Sequence, residues 1–408
     1  MPALAMLSLH TSPLVQPGAG DSGGMNVYIR ELASALAQAG VDCRVYTRRW
    51  DAALPARVEV EPGLTVVHVD AGPPLLVKED LPAVVDDFAA SVLDDVRAAG
   101  DVGAIHANYW LSGLAGHVLK HELELPLVST FHTLARVKAE TGDPEPQRRI
   151  DAETDVIACS DAITASCTAE ADQLVELYGA DPARVELVPP GVLHAFFSPG
   201  DQGGARAALG LDPSVPVLLF VGRIQPLKGL DVAVRALAEI TRTRPDALLV
   251  VVGGASGVDG GAEVARVGEI VDHLGLAGNV RYVSPQPHHL LSTYYRAADV
   301  AVVPSRSESF GLVALEAAAC GTPVVAAAVG GLRTLVDDGV TGWLVEGRDP
   351  SAFAARIEAV LADPALAAAM SSAAAERARR YTWSTTAARL RRLYGDLTAR
   401  TLVECRAP

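Results

Sequence analysis

Three arrangements in the second half of the chain have residue types and spacings suited to chemistry. In VGRIQPLKG, Arg223 and Lys228 follow an apolar run, in a loop punctuated by Pro226 and Gly229. Two cations just beyond a strand end suit a diphosphate, because each can neutralise one anionic oxygen. The same loop on a plain solvated surface would carry no function, and its sequence alone does not decide. In PSRSESFGLVALEA, seven residues separate Glu308 from Glu316. Gly311 and its neighbours predict a helix start, whose free N–H groups favour phosphate. Just over two helical turns separate the two acids, which predicts carboxylates on one side. One can accept bonds from sugar hydroxyls and the other from a diol. The intervening FGLVAL is core-like, so carboxylates beside it need partners. Gly321-Thr322-Pro323 and Gly330-Gly331-Leu332 read as tight turns and nothing more.

The first half holds a second constellation. His10-Thr-Ser-Pro, Gly20-Asp21-Ser22-Gly23-Gly24-Met25-Asn26, Lys78, Asn108-Tyr109-Trp110 and Phe131-His132-Thr133 nearly all follow predicted strands. A single histidine at a strand end is usually structural. Two of them beside a glycine-rich loop favour a polar ligand surface. Only four lysines occur (Lys78, Lys120, Lys138 and Lys228), so a lysine in a loop stands out.

The elements that must hold these loops follow from hydrophobic patterning. At 408 residues the chain exceeds one ordinary core and predicts two domains. ALAMLSLH, DCRVYT, LTVVHVD, AIHAN, LPLVSTFH and ITAS read as strands, and VYIRELASALAQAG as an amphipathic helix closed by Gly40. After the turn-rich PGDQGGARAALGLDP the pattern restarts. PVLLFVGRI, ALLVVVGG, VRYVS, VAVVPS, PVVAA and GWLVE are strands, with helices near 231–240, 264–274 and 290–296. Alternating strands and helices mean parallel sheets. The expected fold is α/β, with two doubly wound Rossmann-like domains, residues 1–197 and 198–383, facing across a cleft. A terminal helix at about 384–408 crosses back onto the first domain. Ligands in such sheets lie beyond the carboxyl ends of the strands.

Composition removes other classes. Thirty-four basic against forty-nine acidic residues give a net charge of −15, which argues against nucleic acid or an anionic membrane as partner. No apolar run reaches the roughly 20 residues of a membrane span, and the first residues lack the basic flank of a signal peptide. A cytoplasmic protein is expected, with exposed helices that would allow a homodimer. The five cysteines are odd in number, lack metal-ligand spacing and are expected as reduced core thiols. Gly18-Ala-Gly20-Asp-Ser-Gly23 matches a dinucleotide fingerprint, and Arg48 and Arg49 follow the second strand. That fingerprint needs its first glycine directly after strand one, whereas Thr11–Pro17 intervenes here.

VGRIQPLKG, PSRSESFGLVALEAAACGTPVVAAAVGGL and DDGVTGWLV together resemble the nucleotide-sugar domain of retaining glycosyltransferases of the GT-B fold, family 4. The resemblance implies that Arg223 and Lys228 hold a UDP diphosphate, Glu308 the donor sugar and Glu316 the ribose. HTSPLVQPGAGDSGGMNVYI, Lys78 after AGP, YWLSG and HTLARVK are similar to one subgroup, which joins N-acetylglucosamine to inositol phosphate at the start of mycothiol synthesis. By that resemblance His10, Asp21, Ser22, Gly23, Gly24, Met25, Asn26, Lys78, Tyr109, Thr133 and Arg148 (or its neighbour Arg149) grip 1D-myo-inositol 3-phosphate. Gln16, Pro17, Gly24 and Gln286 would touch the donor, and His132 the C6 hydroxyl of the sugar. The backbone of Tyr295, Arg296 and Ala298, with Thr322, matches positions that can hold Mg2+ outside the chemistry, which itself needs no cofactor. The chain departs from the subgroup at Asn108, where a histidine is usual, and in the short stretch from Thr133 to Arg148. A relative acting with another donor, such as UDP-glucose, on a different sugar phosphate, aminocyclitol or lipid-linked acceptor is the alternative. A phosphorylase would need a pyridoxal-phosphate lysine, and Lys228 is the only lysine of the second half.

Overall fold

The computed structural model describes residues 2–18, 20, 22–257 and 260–405. The chain forms two compact units. One comprises Met1–Val15, Met25–Pro190 and Trp383–Pro408, the other Gln16–Gly24 and Gly191–Thr382.

The first unit is built on eight strands: β1 (Ala3–Leu7), β2 (Cys43–Arg48), β3 (Arg57–Glu61), β4 (Leu64–Val69), β5 (Val102–Asn108), β6 (Leu127–Thr130), β7 (Ala162–Ala165) and β8 (Val185–Leu187). Their order is β3-β4-β2-β1-β5-β6-β7-β8. All pairs are parallel except β3–β4. The inner strands read as near-continuous apolar runs because both faces of a parallel sheet are covered. The helix Gly24–Gln38 buries Tyr28, Ile29, Leu32, Ala33 and Leu36, one face at helical spacing. The edge strands β3 and β8 are absent from the sequence reading. RVEVE and VEL are short, charged and largely exposed, so no apolar run marks them.

The helix Trp383–Thr398 belongs to this unit. Its Trp383 ring meets Tyr28 edge-on, the Thr386 hydroxyl donates to the Pro189 carbonyl, and the Tyr394 hydroxyl bonds His106 Nδ1 at 2.6 Å. It ends at Thr398, not at 408. Local turn bonds from Ala399 to Asp396 and from Arg400 to Leu397 replace the helical ladder, and residues 401–405 are irregular. There Cys405 is paired with Cys159 as a disulfide. The expectation of reduced thiols holds for the buried Cys43, Cys167 and Cys320, but not for these two. They lie 246 residues apart, and only the folded chain brings them together.

The second unit carries six parallel strands, β9 (Val217–Val221), β10 (Leu248–Val252), β11 (Val280–Val283), β12 (Val300–Val303), β13 (Val324–Ala327) and β14 (Gly342–Val345), in the order β11-β10-β9-β12-β13-β14. The order reverses between β9 and β12, the point where doubly wound sheets open a ligand crevice. The glycine loop Gln16–Gly24 belongs with this sheet: Gly254 N–H donates to the Gly18 carbonyl, and the Gln16 amide to the Pro285 carbonyl. Those bonds tie the false dinucleotide fingerprint to the second sheet, whereas the motif needs a tight turn directly after its first strand. Arg48 meanwhile pins the carbonyls of Pro73 and Pro74. Among the described residues no single helix is long and apolar enough to cross a membrane.

Candidate active site

In the second unit, the chain leaves β9 through Gly222 to Arg223, then makes a single turn, Pro226–Lys228. Gly229 ends that turn at φ 71°, and a Cβ there would stand 2.2 Å from the Pro304 carbonyl oxygen. Only glycine lets the loops after β9 and β12 come this close. The Lys228 ammonium donates to Glu308 Oε2 at 2.6 Å, and the Ser305 hydroxyl reaches the same oxygen at 3.3 Å. The Gly330-Gly331 turn does more than turn. A Cβ on Gly330 would lie 2.0 Å from the Glu308 carbonyl oxygen, and Gly331 N–H donates to that carbonyl at 3.0 Å. The pair therefore fixes the backbone that aims Glu308 at Lys228. Arg223 donates to Ser256 Oγ at 3.2 Å and packs against Gly23, where a Cβ would come within 2.9 Å of its Nε.

The helix Leu312–Ala319 starts after Gly311, at φ 102°. Glu308 precedes it, so the two carboxylates do not share a helical face as their spacing suggested. Glu316 lies inside the helix and is buried. Its Oε1 faces His288 Nε2 at 2.6 Å, and its Oε2 accepts from the Tyr295 hydroxyl at 2.8 Å. Burial, then the adjacent Glu316 charge, raise the Tyr295 phenol well above its ordinary value, so it stays a donor. His288 and the Tyr295 side chain are partners the sequence reading missed. The pair His288-His289, just past β11, was the signal available. Gln286 donates to its neighbour's carbonyl, Ser284. Gly24 is exposed, with the Leu312 side chain 3.6 Å from where its Cβ would be, and Pro17 is half-buried.

Two of the carbonyls matched to a magnesium site each accept one hydrogen bond. The Tyr295 carbonyl accepts from Thr322 Oγ1 at 2.7 Å and the Ala298 carbonyl from Gln202, while the Arg296 guanidinium holds the Ser198 carbonyl. Each carbonyl keeps a second lone pair beyond these bonds, and no step is routed through an ion here.

In the first unit, Tyr109 follows β5 at φ 75° and His132 follows β6 at φ 61°. They are two of the three described non-glycine residues with positive φ. Such backbone persists only where surrounding contacts enforce it, and it clusters at functional sites. The His10 ring lies 4.5 Å from the Tyr109 ring. Lys78 Nζ stands 5.5 Å and the Arg149 guanidinium 5.0 Å from the Tyr109 ring centre. Arg149 also donates to both the carbonyl and the hydroxyl of Thr133 at 3.0 Å. The structure thus gathers His10, Lys78, Tyr109, Thr133 and Arg149.

Arg148 is not in this group; it bonds the Glu79 carbonyl on the surface. Adjacent helical residues point about 100° apart, and it is Arg149 that turns inward, against Glu145 at 2.8 Å and Glu153 at 2.7 Å. Burial disfavours the Glu145 carboxylate, but Arg149, Lys138 and Lys78 outweigh it and hold its pKa below the usual range. Lys78 itself forms no ion pair among the described residues.

His132 bonds the Asn108 side-chain amide oxygen, Oδ1, through Nε2 at 2.9 Å, with its ring edge-on to Tyr28. Burial, then the nearby His106, lower its pKa to about 3, so the imidazole is neutral and offers a hydrogen bond rather than a charge. The Asn108 amide nitrogen is buried without a partner among the described residues. Asn26 directs its amide inward to Thr11 Oγ1 at 2.6 Å and the Ser12 carbonyl at 2.7 Å, which makes it a brace for the turn after β1. Ser22 and Gly23 are buried, Met25 packs on the first unit's core, and Asp21 lies outside the described residues.

Residues 23–191 match the family model "Glycosyl transferase 4-like domain", and residues 201–377 match "Glycosyl transferases group 1". The chain belongs to this glycosyltransferase family and is an enzyme with the GT-B fold. It is 47% identical over 415 residues to D-inositol 3-phosphate glycosyltransferase 2 of Catenulispora acidiphila, covering 99% of this chain and 96% of that one. It is 50% identical over 395 residues to the D-inositol 3-phosphate glycosyltransferase of Geodermatophilus obscurus, covering 94% and 87%. Among solved structures, the sucrose-phosphate synthase of Thermosynechococcus elongatus superimposes with a TM-score of 0.92 at 33% identity, covering 98% and 100%.

Proposed function

We propose that the enzyme transfers N-acetylglucosamine from UDP-N-acetylglucosamine to 1D-myo-inositol 3-phosphate with retention of configuration, the reaction that opens mycothiol synthesis. The observation that carries this reading is the cluster of Lys78, Tyr109, Thr133 and Arg149, a local cationic site on a chain of net charge −15. Relatives near 50% identity over almost the whole chain carry the name of that acceptor.

The barrier is departure of an anionic diphosphate with oxocarbenium charge building on the sugar. Lys228, Arg223 and the free N–H groups beginning the helix Leu312–Ala319 supply fixed positive potential for the leaving group, the kind of preorganised stabilisation that dominates such reactions. Glu308 orients Lys228 before the donor arrives and accepts from sugar hydroxyls once the diphosphate takes the ammonium. Glu316, already held by His288 and Tyr295, keeps lone pairs for the ribose diol. His132, neutral, bonds the C6 hydroxyl. Among the described residues at the donor site none stands out as a covalent nucleophile; a donor phosphate oxygen takes the acceptor hydroxyl's proton, and the new bond forms on the face that UDP leaves.

A second reading is favoured by the TM-score of 0.92 to a sucrose-phosphate synthase and by Asn108: UDP-glucose as donor and another sugar phosphate as acceptor. The test is UDP release from UDP-N-acetylglucosamine and UDP-glucose, each with inositol 3-phosphate or with hexose phosphates, and the product mass. Release that requires inositol 3-phosphate and yields its N-acetylglucosamine adduct supports the proposal. Turnover only with UDP-glucose and a hexose phosphate replaces it with the second reading.

A further inference from the structure

Four metal-ligating side chains that glycosyl transfer does not use meet in the first unit. His117 and His121 stand one turn apart on the helix Trp110–Leu123, Cys159 closes the helix Gln147–Cys159, and Cys405 lies in the irregular residues after Thr398. Their ligand atoms all lie within 4.8 Å of one another. Cys405 Sγ is 3.3 Å from His121 Nε2 and 3.8 Å from His117 Nε2, and Cys159 Sγ is 3.7 Å from His121 Nε2. A tetrahedral zinc ion with Zn–S near 2.3 Å and Zn–N near 2.0–2.1 Å sets its ligands roughly 3.3–3.8 Å apart. A disulfide involves only the two sulfurs, yet both imidazoles also turn Nε2 toward them. A Cys2His2 metal site uses all four groups.

The surroundings brace the ligands as an outer shell would. Lys120, on the helix between the two histidines, is buried and donates to the Cys159 carbonyl at 2.7 Å and to Asp161. Asp161 in turn accepts Leu127 N–H at 2.8 Å and Val403 N–H at 2.7 Å. One buried ion pair thus fixes the backbone that carries Cys159 and the backbone that leads to Cys405, the outer-sphere support typical of metal sites. His117 and Cys159 are buried, while His121 and Cys405 are half-exposed, which leaves a way in for an ion.

We propose that in the reduced chain His117, His121, Cys159 and Cys405 bind one Zn2+, and that the disulfide is the metal-free, oxidised form of the same two thiols. Reduction by a dithiol passes two electrons and two protons to the disulfide while the dithiol closes to its own cyclic disulfide. The two thiols then release those protons as their sulfurs bind Zn2+. Four protein ligands complete the tetrahedron and leave no position for water, so the ion is structural. It fastens the residues after Thr398 to the helices that carry His117, His121 and Cys159.

The test uses the full chain, reduced with dithiothreitol, freed of reductant under argon and titrated with Co2+. The expected result is saturation at one Co2+ per chain, with the intense d–d bands of tetrahedral geometry and a thiolate charge-transfer band, both abolished by one equivalent of Zn2+. The double variant His117→Gln/His121→Gln should lose the cobalt spectrum yet still form the disulfide on oxidation. Cys405→Ser should lose both. The wild-type titration stands even if a variant fails to fold. Reduced wild type that shows no saturable tetrahedral spectrum overturns the proposal, as does an unchanged spectrum in the double histidine variant or in Cys405→Ser.

Discussion

The contact between Lys228 and Glu308 makes the sharpest claim about the donor site. Replacing Lys228 by alanine removes one charge-assisted bond to the diphosphate, about 1.5–3 kcal/mol. It also strips Glu308 of its counter-charge. At 2.6 Å, and with the near-aqueous screening suited to side chains 25% and 18% exposed, the pair's attraction is about 1.6 kcal/mol. The bare carboxylate then repels the incoming diphosphate. Lys228→Ala should therefore weaken UDP binding, read by calorimetry, by about 1 kcal/mol more than the lost bond alone, roughly a hundred- to a thousandfold in all. Glu308→Gln in the same chain should restore part of it, with a coupling near 1 kcal/mol, about fivefold. The single Glu308→Gln variant should keep UDP affinity and lose turnover, because its partner remains to hold the phosphate. UDP affinity of Lys228→Ala within twofold of wild type would refute the role of Lys228. Strict additivity in the double variant would refute the electrostatic link.

The remaining predictions bear on the acceptor residues, on acid and on the loop. Lys78→Ala should raise the acceptor KM about ten- to hundredfold at unchanged UDP affinity, whereas Arg148→Ala should leave KM within about twofold. Arg149→Ala should instead cost roughly 3–5 kcal/mol in urea unfolding, because Glu145 and Glu153 lose their buried partner. Burial lowers both His106 and His132 from 6.5 to about 3, so between those values the unfolded chain binds more protons than the folded one. Stability should then be full above about pH 6.5 and fall by about 2 kcal/mol per histidine at pH 5. Urea midpoints at the two pH values should show it, and His106→Gln should flatten the loss. Gly229→Ala should lower Tm and UDP affinity together, since positive φ alone costs about 1–2 kcal/mol and its Cβ strikes the Pro304 carbonyl. A normal Tm would show that the two loops can part.

The inner strands were legible because parallel sheets buried on both faces demand apolar runs, and LLVVV and VAVV have no other sensible home. Arg223, Lys228 and Glu308 were legible because loops at strand ends place ligand residues locally. Glu316 was readable as a partnered carboxylate, yet its partners His288 and Tyr295 come from segments whose approach no local pattern encodes. Helical spacing misled at Glu308, since Gly311 begins the helix only after it. Arg148 and Arg149 are indistinguishable in sequence, and only the helix rotation that buries one against Glu145 and Glu153 separates them. The histidine–cysteine cluster was hidden for a related reason. H-x-x-x-H is visible at 117–121, but its two sulfurs arrive from 38 and 284 residues away from His121.

The membership of the helix Trp383–Thr398 in the first unit has a consequence in time. A ribosome that has finished Pro190 must still make Gly191–Thr382 before that helix exists, a delay of about 10–40 s at ordinary elongation rates. Throughout it, His106 at the centre of the first sheet lacks the Tyr394 hydroxyl, and Tyr28 lacks the Trp383 ring. The half made first is therefore finished last, and a nascent chain stalled anywhere before Trp383 presents an open apolar seam where a chaperone would bind.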